Sequence, residues 1–125
     1  MKQKYKILYV DDEESNLLIF KDTFRRDFHV QTAVSAYKAL EILKTSTVDV
    51  VITDQRMPGM TGVELLKEIN KMFSEIPPNR LIVSGYSSNT DIKKAFDEYR
   101  LYKFITKPWN YKELKQIILD AIIQN

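Results

Sequence analysis

Five side chains in this 125-residue chain could do chemistry together: Asp11, Asp12, Asp54, Ser84 and Lys107. Each follows a short run of strand-forming residues. KILYV precedes the acidic pair, VVIT precedes Asp54, LIV precedes Ser84 and YKFIT precedes Lys107. Val, Ile, Thr and aromatic residues suit buried extended segments. Directly after Asp54 the sequence runs Gln55-Arg56-Met57-Pro58-Gly59, and Pro-Gly suits the central pair of a type II turn. Asp54 is therefore expected where a strand gives way to a loop. If the strands are parallel, all five residues meet on one rim of the sheet, where open α/β sheets bind ligands.

The chemistry of such a rim follows from charge. Carboxylates brought together there repel by about 4 kcal/mol per close pair at an effective dielectric near 20. A divalent cation with oxygen ligands removes that penalty, and Mg²⁺ typically takes one or two carboxylates with waters and phosphate oxygens. A lysine and a hydroxyl on the same rim suit a phosphoryl group. The set reads as a Mg²⁺-assisted phosphoryl-transfer site with a carboxylate nucleophile.

The elements that must position these residues alternate along the chain. Lys6 to Val10 is a first strand. Leu17, Leu18, Phe20 and Phe24 then recur at roughly helical spacing, with acids at the helix start where its dipole favours them. Phe28 to Ala33 reads as a half-exposed edge strand that carries the only histidine, His29, towards solvent. Ser35 caps a helix whose inner face is Ala36, Ala39, Leu40 and Leu43. Val48 to Thr53 is the third strand.

Thr61 and Glu64 form a capping-box pattern before Val63, Leu65, Leu66 and Ile69. Pro77-Pro78 closes that region. Leu81 to Ser84 is the fourth strand, and Ser88 or Asn89 caps a helix through Ile92, Ala95 and Phe96. Tyr102 to Thr106 is the fifth. Asn110 and Glu113 repeat the capping logic before Leu114, Ile117, Ile118, Ala121 and Ile122. Trp109 is expected to pack beside this last helix. Five strands alternating with five helices imply an α/β fold with a parallel sheet covered on both faces.

Composition narrows the functions. The chain length fits one domain, residues 1–125, with a single sizeable core. With 44% hydrophobic and 29% charged residues it reads as a globular protein. A formal net charge of +2 gives no ground for nucleic-acid binding. The first apolar run is too short for a signal sequence or a membrane span, so a cytoplasmic location is expected. The absence of cysteine excludes thiol catalysis and thiolate metal sites.

The acidic pair after the first strand, the Asp54-centred stretch ending RMPGMTG, Ser84-Gly85 and Lys107-Pro108 together resemble the receiver domain of bacterial two-component response regulators. The resemblance covers essentially the whole chain. It implies a flavodoxin-like doubly wound sheet of order 2-1-3-4-5. It implies that Asp54 accepts phosphate from a sensor histidine kinase or a histidine phosphotransfer protein. Asp12 would hold Mg²⁺ directly, Asp11 largely through water, and Arg56 through its main-chain carbonyl. Ser84 and Lys107 would contact the phosphoryl oxygens, the Lys107-Pro108 peptide would be cis, and Phe104 would occupy the aromatic switch position. Such a chain would catalyse only its own Mg²⁺-dependent phosphorylation and dephosphorylation.

Phosphorylation adds nearly two negative charges and three strong acceptors. Ser84 and Lys107 would draw inward and Phe104 would turn into the space behind. The surface of the fourth helix, fifth strand and fifth helix would then change, with Lys93, Lys94, Arg100 and Lys103 as its positive rim. The implied partners are a kinase or phosphotransfer protein and a downstream output domain or protein. Direct contact with nucleic acid or membrane is not implied. A monomer or a phosphorylation-dependent homodimer would both fit, as would a stand-alone receiver or a part of a longer regulator or hybrid kinase.

Two features depart from the family pattern. A glycine commonly ends the fourth helix, and here Asp97-Glu98-Tyr99-Arg100-Leu101 offers none. That helix is expected to end differently or fray. Arg56 and Tyr86, two residues after Asp54 and Ser84, are bulky and would crowd the path of an attacking water. The competing reading is a phosphate-independent interaction module, which would normally lack one of the acids, the acceptor or the lysine. A haloacid-dehalogenase-type phosphatase needs an acid two residues after its nucleophile, where this chain has Arg56. A nucleotide-binding fold needs a glycine-rich loop after the first strand, which is missing.

Overall fold

The computed structural model describes residues 4–73, 79–85 and 89–123. Its elements, in order, are β1 (Lys6–Val10), α1 (Glu14–Phe24), β2 (His29–Ala33), α2 (Ala36–Thr45), β3 (Val50–Thr53), α3 (Gly62–Met72), β4 (Asn79–Ser84), α4 (Asn89–Glu98), β5 (Leu101–Thr106) and α5 (Tyr111–Ile123). The strands form one parallel sheet of order β2-β1-β3-β4-β5.

Strand periodicity divides the core in two. Ile7, Tyr9, Val50, Ile52, Leu81 and Val83 face a cluster with Leu17, Phe20 and Phe24 of α1 and Leu114, Ile118 and Ala121 of α5. Leu8, Val10, Val51 and Ile82 face the other cluster, with Ala36, Ala39 and Leu43 of α2, Leu65, Leu66 and Ile69 of α3, and Ala95 of α4. Alternate residues of a strand point to opposite faces, so each inner strand serves both clusters. Each large side chain buried this way contributes about 1.5–3 kcal/mol.

The helix starts follow local chemistry. Ser35 Oγ accepts from Lys38 N–H at 3.1 Å, and Asn110 Oδ1 accepts from Glu113 N–H at 3.1 Å. Thr61 and Glu64 complete a reciprocal capping box.

Several boundaries and faces differ from expectation. β3 starts at Val50, leaving Val48 buried just ahead of it. β4 starts two residues early, because Asn79 and Arg80 join the ladder opposite Val50 and Val51. Leu18 is 70% exposed and Phe96 44%, so α1 and α4 bury narrower stripes than their apolar residues suggest. Trp109 does join the cluster that the last helix shares with α1, its ring centroid 5.5 and 6.0 Å from those of Phe24 and Phe20. α4 ends at Glu98, and Arg100 takes the left-handed conformation, φ 60°, usually given to glycine. The expected cap at Ser88 or the Asn89 side chain, Tyr86 and the Pro77-Pro78 step lie outside the described residues.

Candidate functional site

Sheet register brings the acids together. Val10 pairs with Thr53, so Asp11 and Asp54 leave adjacent strands at the same level. Each backbone is tied to the neighbouring strand: Asp54 N–H donates to Val10 C=O at 2.9 Å, and Asp11 N–H to Ala33 C=O at 3.1 Å. Ser84 pairs with Thr106, and Lys107 N–H donates to Ser84 C=O at 3.0 Å. The Lys107-Pro108 peptide is cis.

The loop after Asp54 is bolted to the site from inside. Asp54 Oδ1 accepts from Gln55 N–H at 2.7 Å. The buried Gln55 side chain accepts from Val63 N–H at 2.8 Å, and Gly62 N–H donates to Gln55 C=O at 3.0 Å. Gly62 approaches so closely that an added Cβ would collide with the Asp54 carbonyl oxygen. Gly59 takes φ 79°, as the second central residue of a type II turn requires. Tyr37 lies against it, 3.0 Å from where a Cβ would stand.

Asp11 is fully buried, Asp54 is buried and Asp12 is exposed. One carboxylate oxygen from each lies within 4.8 Å of the others. Two buried acids and one open to solvent form an all-oxygen donor set that suits a hard cation. Lys107 Nζ bridges Asp11 Oδ2 at 3.2 Å and Asp54 Oδ2 at 3.3 Å. Burial works against its charge, and the two carboxylates outweigh it, so the ammonium is held above its usual pKa. Ser84 is buried at the end of β4. Arg56 is exposed two residues beyond Asp54, and Phe104 is half-buried against the α2–α4 cluster.

Some contributors gave no usable signal in the sequence. Tyr9 OH donates to Asp11 Oδ2 at 3.2 Å, and Asn16 Nδ2 donates to the same oxygen at 3.1 Å. Burial first, and then the charge of Asp11, push the Tyr9 hydroxyl far above its ordinary pKa. Asp11 Oδ1 accepts from Glu13 N–H at 3.0 Å, so this acid also braces the start of α1. Beside Lys107 opens a largely apolar groove of about 630 Å³, lined in part by Ile19, Trp109 and Tyr111.

The response regulator receiver domain model matches residues 7–119. The hydrogenase transcriptional regulatory protein HoxA of Cupriavidus necator is 38% identical over 116 residues, covering 93% of this chain and 24% of that protein. The transcriptional regulatory protein GlrR of Escherichia coli is 33% identical over 120 residues, covering 95% of this chain and 26% of that protein. This chain thus spans about a quarter of those regulators. Among solved structures, a response regulator receiver domain protein from Clostridium thermocellum superposes with a TM-score of 0.86 at 30% identity, covering 96% of this chain and 95% of that one. No helix among the described residues is long and apolar enough to cross a membrane. By sequence, strand order and the acidic rim alike, the chain belongs to the response regulator receiver domain family, the phosphorylation-switch module of two-component systems.

Proposed function

We propose that the chain, as one receiver domain over residues 1–125, is a phosphorelay switch in which Asp54 is the phosphoacceptor. The observation that carries this reading is the Lys107 ammonium held between Asp11 and Asp54. A cation suited to phosphoryl oxygens lies within hydrogen-bond reach of Asp54 and of the buried acid of the pair, which supports the reading. An Asp54 carboxylate oxygen attacks the phosphorus of a phosphohistidine; the P–N bond breaks, the imidazole leaves and an acyl phosphate forms.

Asp12, Asp11, Asp54 and the Arg56 main-chain carbonyl would hold Mg²⁺. When bound, Mg²⁺ supplies charge neutralisation for the carboxylates and the transferring phosphoryl oxygens. Lys107 then exchanges its carboxylate partners for phosphoryl oxygens, and the Ser84 hydroxyl donates to another. Their loops move inward, and the half-buried Phe104 follows into the space behind Ser84. The outcome is a changed α4–β5–α5 surface, read by an output domain or protein. The groove beside Lys107 gives a histidine kinase or phosphotransfer protein apolar footing next to Asp54.

Intact mass after incubation with Mg²⁺ and acetyl phosphate tests this. A gain of one phosphoryl group, about 80 Da, is expected for the native chain and not for Asp54→Asn. No gain in either at early times and several Mg²⁺ levels overturns it in favour of a phosphate-independent interaction module.

A further inference from the structure

Phosphoryl acceptance as described leaves part of the Asp11 environment unused. Asp11 Oδ2 accepts from three side-chain donors: Tyr9 OH at 3.2 Å, Asn16 Nδ2 at 3.1 Å and Lys107 Nζ at 3.2 Å. A carboxylate offers about four lone-pair sites over its two oxygens. Oδ2 is therefore oversubscribed while Lys107 is present, and matched one to one by Tyr9 and Asn16 once Lys107 has gone.

The two remaining donors are neutral and firmly placed. The Tyr9 ring is buried and stacks on Phe20, with centroids 4.0 Å apart and planes 1° from parallel. Asn16 stands in the first turn of α1, whose inner face packs into the same cluster. Lys107, by contrast, follows the end of β5 and has a second partner in Asp54 at 3.3 Å. It is the donor placed to leave.

We propose that Tyr9 is a positioning residue whose hydroxyl, with the Asn16 amide, keeps the buried Asp11 satisfied and in place while Lys107 moves to a phosphoryl group. The inference rests on the phosphoacceptor reading of Asp54. Mg²⁺ would reach Asp11 largely through water, so once Lys107 has gone its Oδ2 depends on the neutral donors beside it, and a buried acceptor left short of donors is costly. The Tyr9 hydrogen bond counts for less when three donors compete for one oxygen than when two fit it. Removing the hydroxyl should therefore penalise the lysine-released state more than the resting state.

Tyr9→Phe keeps the ring and its stack and removes only the donor. Beryllofluoride is a suitable probe, because it mimics a bound phosphoryl group without a transfer step. Binding is followed by Trp109 emission at saturating Mg²⁺, with a melting curve to establish that each variant is folded. Tyr9→Phe should bind beryllofluoride about tenfold more weakly, the scale of one hydrogen bond to a charged group. Its affinity for Mg²⁺ alone should fall by clearly less than its affinity for beryllofluoride, since Lys107 release is the state being tested. Asn16→Ala, at a half-buried position, should shift beryllofluoride binding in the same direction and guards against a folding defect in Tyr9→Phe.

Native-like beryllofluoride binding by both variants would overturn the inference and leave the phosphoacceptor reading intact. Equal weakening for Mg²⁺ and beryllofluoride would overturn it too, by making Tyr9 merely structural. A native chain that binds no beryllofluoride and gains no phosphoryl mass would instead remove the phosphoacceptor reading itself.

Discussion

At the carboxyl rim of the sheet three carboxylates face one lysine, whereas at the amino rim a single guanidinium lies fully buried among uncharged oxygens. Arg80, the second residue of β4, donates through Nη1 to Asn70 Oδ1 at 2.8 Å and to Tyr99 C=O at 3.0 Å, and through Nη2 to Phe73 C=O at 3.4 Å. Its Nε has no partner among the described residues. Burial, and then the neighbouring Arg100, push its pKa down to about 10, which leaves it charged at neutral pH. Phe73 caps the C-terminus of α3, and Tyr99 directly follows α4. Carbonyls at helix ends carry partial negative charge and lack helical partners, so one side chain ties off two helices. The amino rim holds its charge with fixed dipoles that cannot leave. The carboxyl rim holds its charges with a partly exposed lysine shared between two acids, beside a third acid open to solvent.

The largest test of this contrast is Arg80→Met. It should cost about 3 kcal/mol in urea unfolding, because the loss removes the donor from three oxygens at once, that of Tyr99 buried and the other two partly so. A cost below 1 kcal/mol, roughly that of an exposed ion pair, would break the comparison.

On the other rim, Lys107→Met should cost about 2 kcal/mol: the ammonium is partly exposed, but its loss leaves the fully buried Asp11 with only the neutral side-chain donors Tyr9 and Asn16. Its folded pKa is raised, so its contribution is fully present below the unfolded value of 10.5 and is lost as pH rises through the higher folded value. The stability gap between native and Lys107→Met should thus stay constant from neutral pH to about pH 10 and close above it. A gap that closes below pH 9 would point to other groups as its source.

Asp12→Asn should have the opposite sign. Without Mg²⁺ it relieves repulsion at the acidic cluster and should gain up to about 1 kcal/mol, discounted for the exposure of Asp12. Mg²⁺ should raise the Tm of the native chain and raise that of Asp12→Asn by less. An Mg²⁺ response equal to native would remove Asp12 from the donor set.

The smallest expected effect is Arg100→Gly. Glycine accepts the left-handed backbone that costs an L-residue about 1 kcal/mol or more, and the change also removes a positive neighbour of Arg80. A gain of about 0.5 kcal/mol in the urea midpoint is expected. A loss would show that the contacts of Arg100 outweigh its backbone conformation.

Much of this organisation is legible in the order of amino acids. The bounds of β1, the caps at Ser35, Thr61-Glu64 and Asn110, and the alternation of strands and helices all depend on residues within a few positions of one another. Local periodicity and capping carry such information directly. Asp11, Asp12, Asp54, Ser84 and Lys107 could be picked out because parallel strands place their ends on one rim, and the register does bring them there. The early start of β4 was hidden, because Asn79 and Arg80 look like loop residues until the Asp49 carbonyl is in place to receive Asn79, and oxygens of α3 and beyond α4 to receive Arg80.

The order of elements, and which acids, hydroxyl and lysine could meet, can be read from the residues alone. Folding had to bring together groups far apart in the chain: Trp109 against Phe24 of α1, and Lys107 between acids from two other strands. The physical reason is distance along the chain. A cap or an apolar stripe is written within one or two turns, whereas the Lys107–Asp11 contact spans 96 residues and exists only once the sheet has set its register.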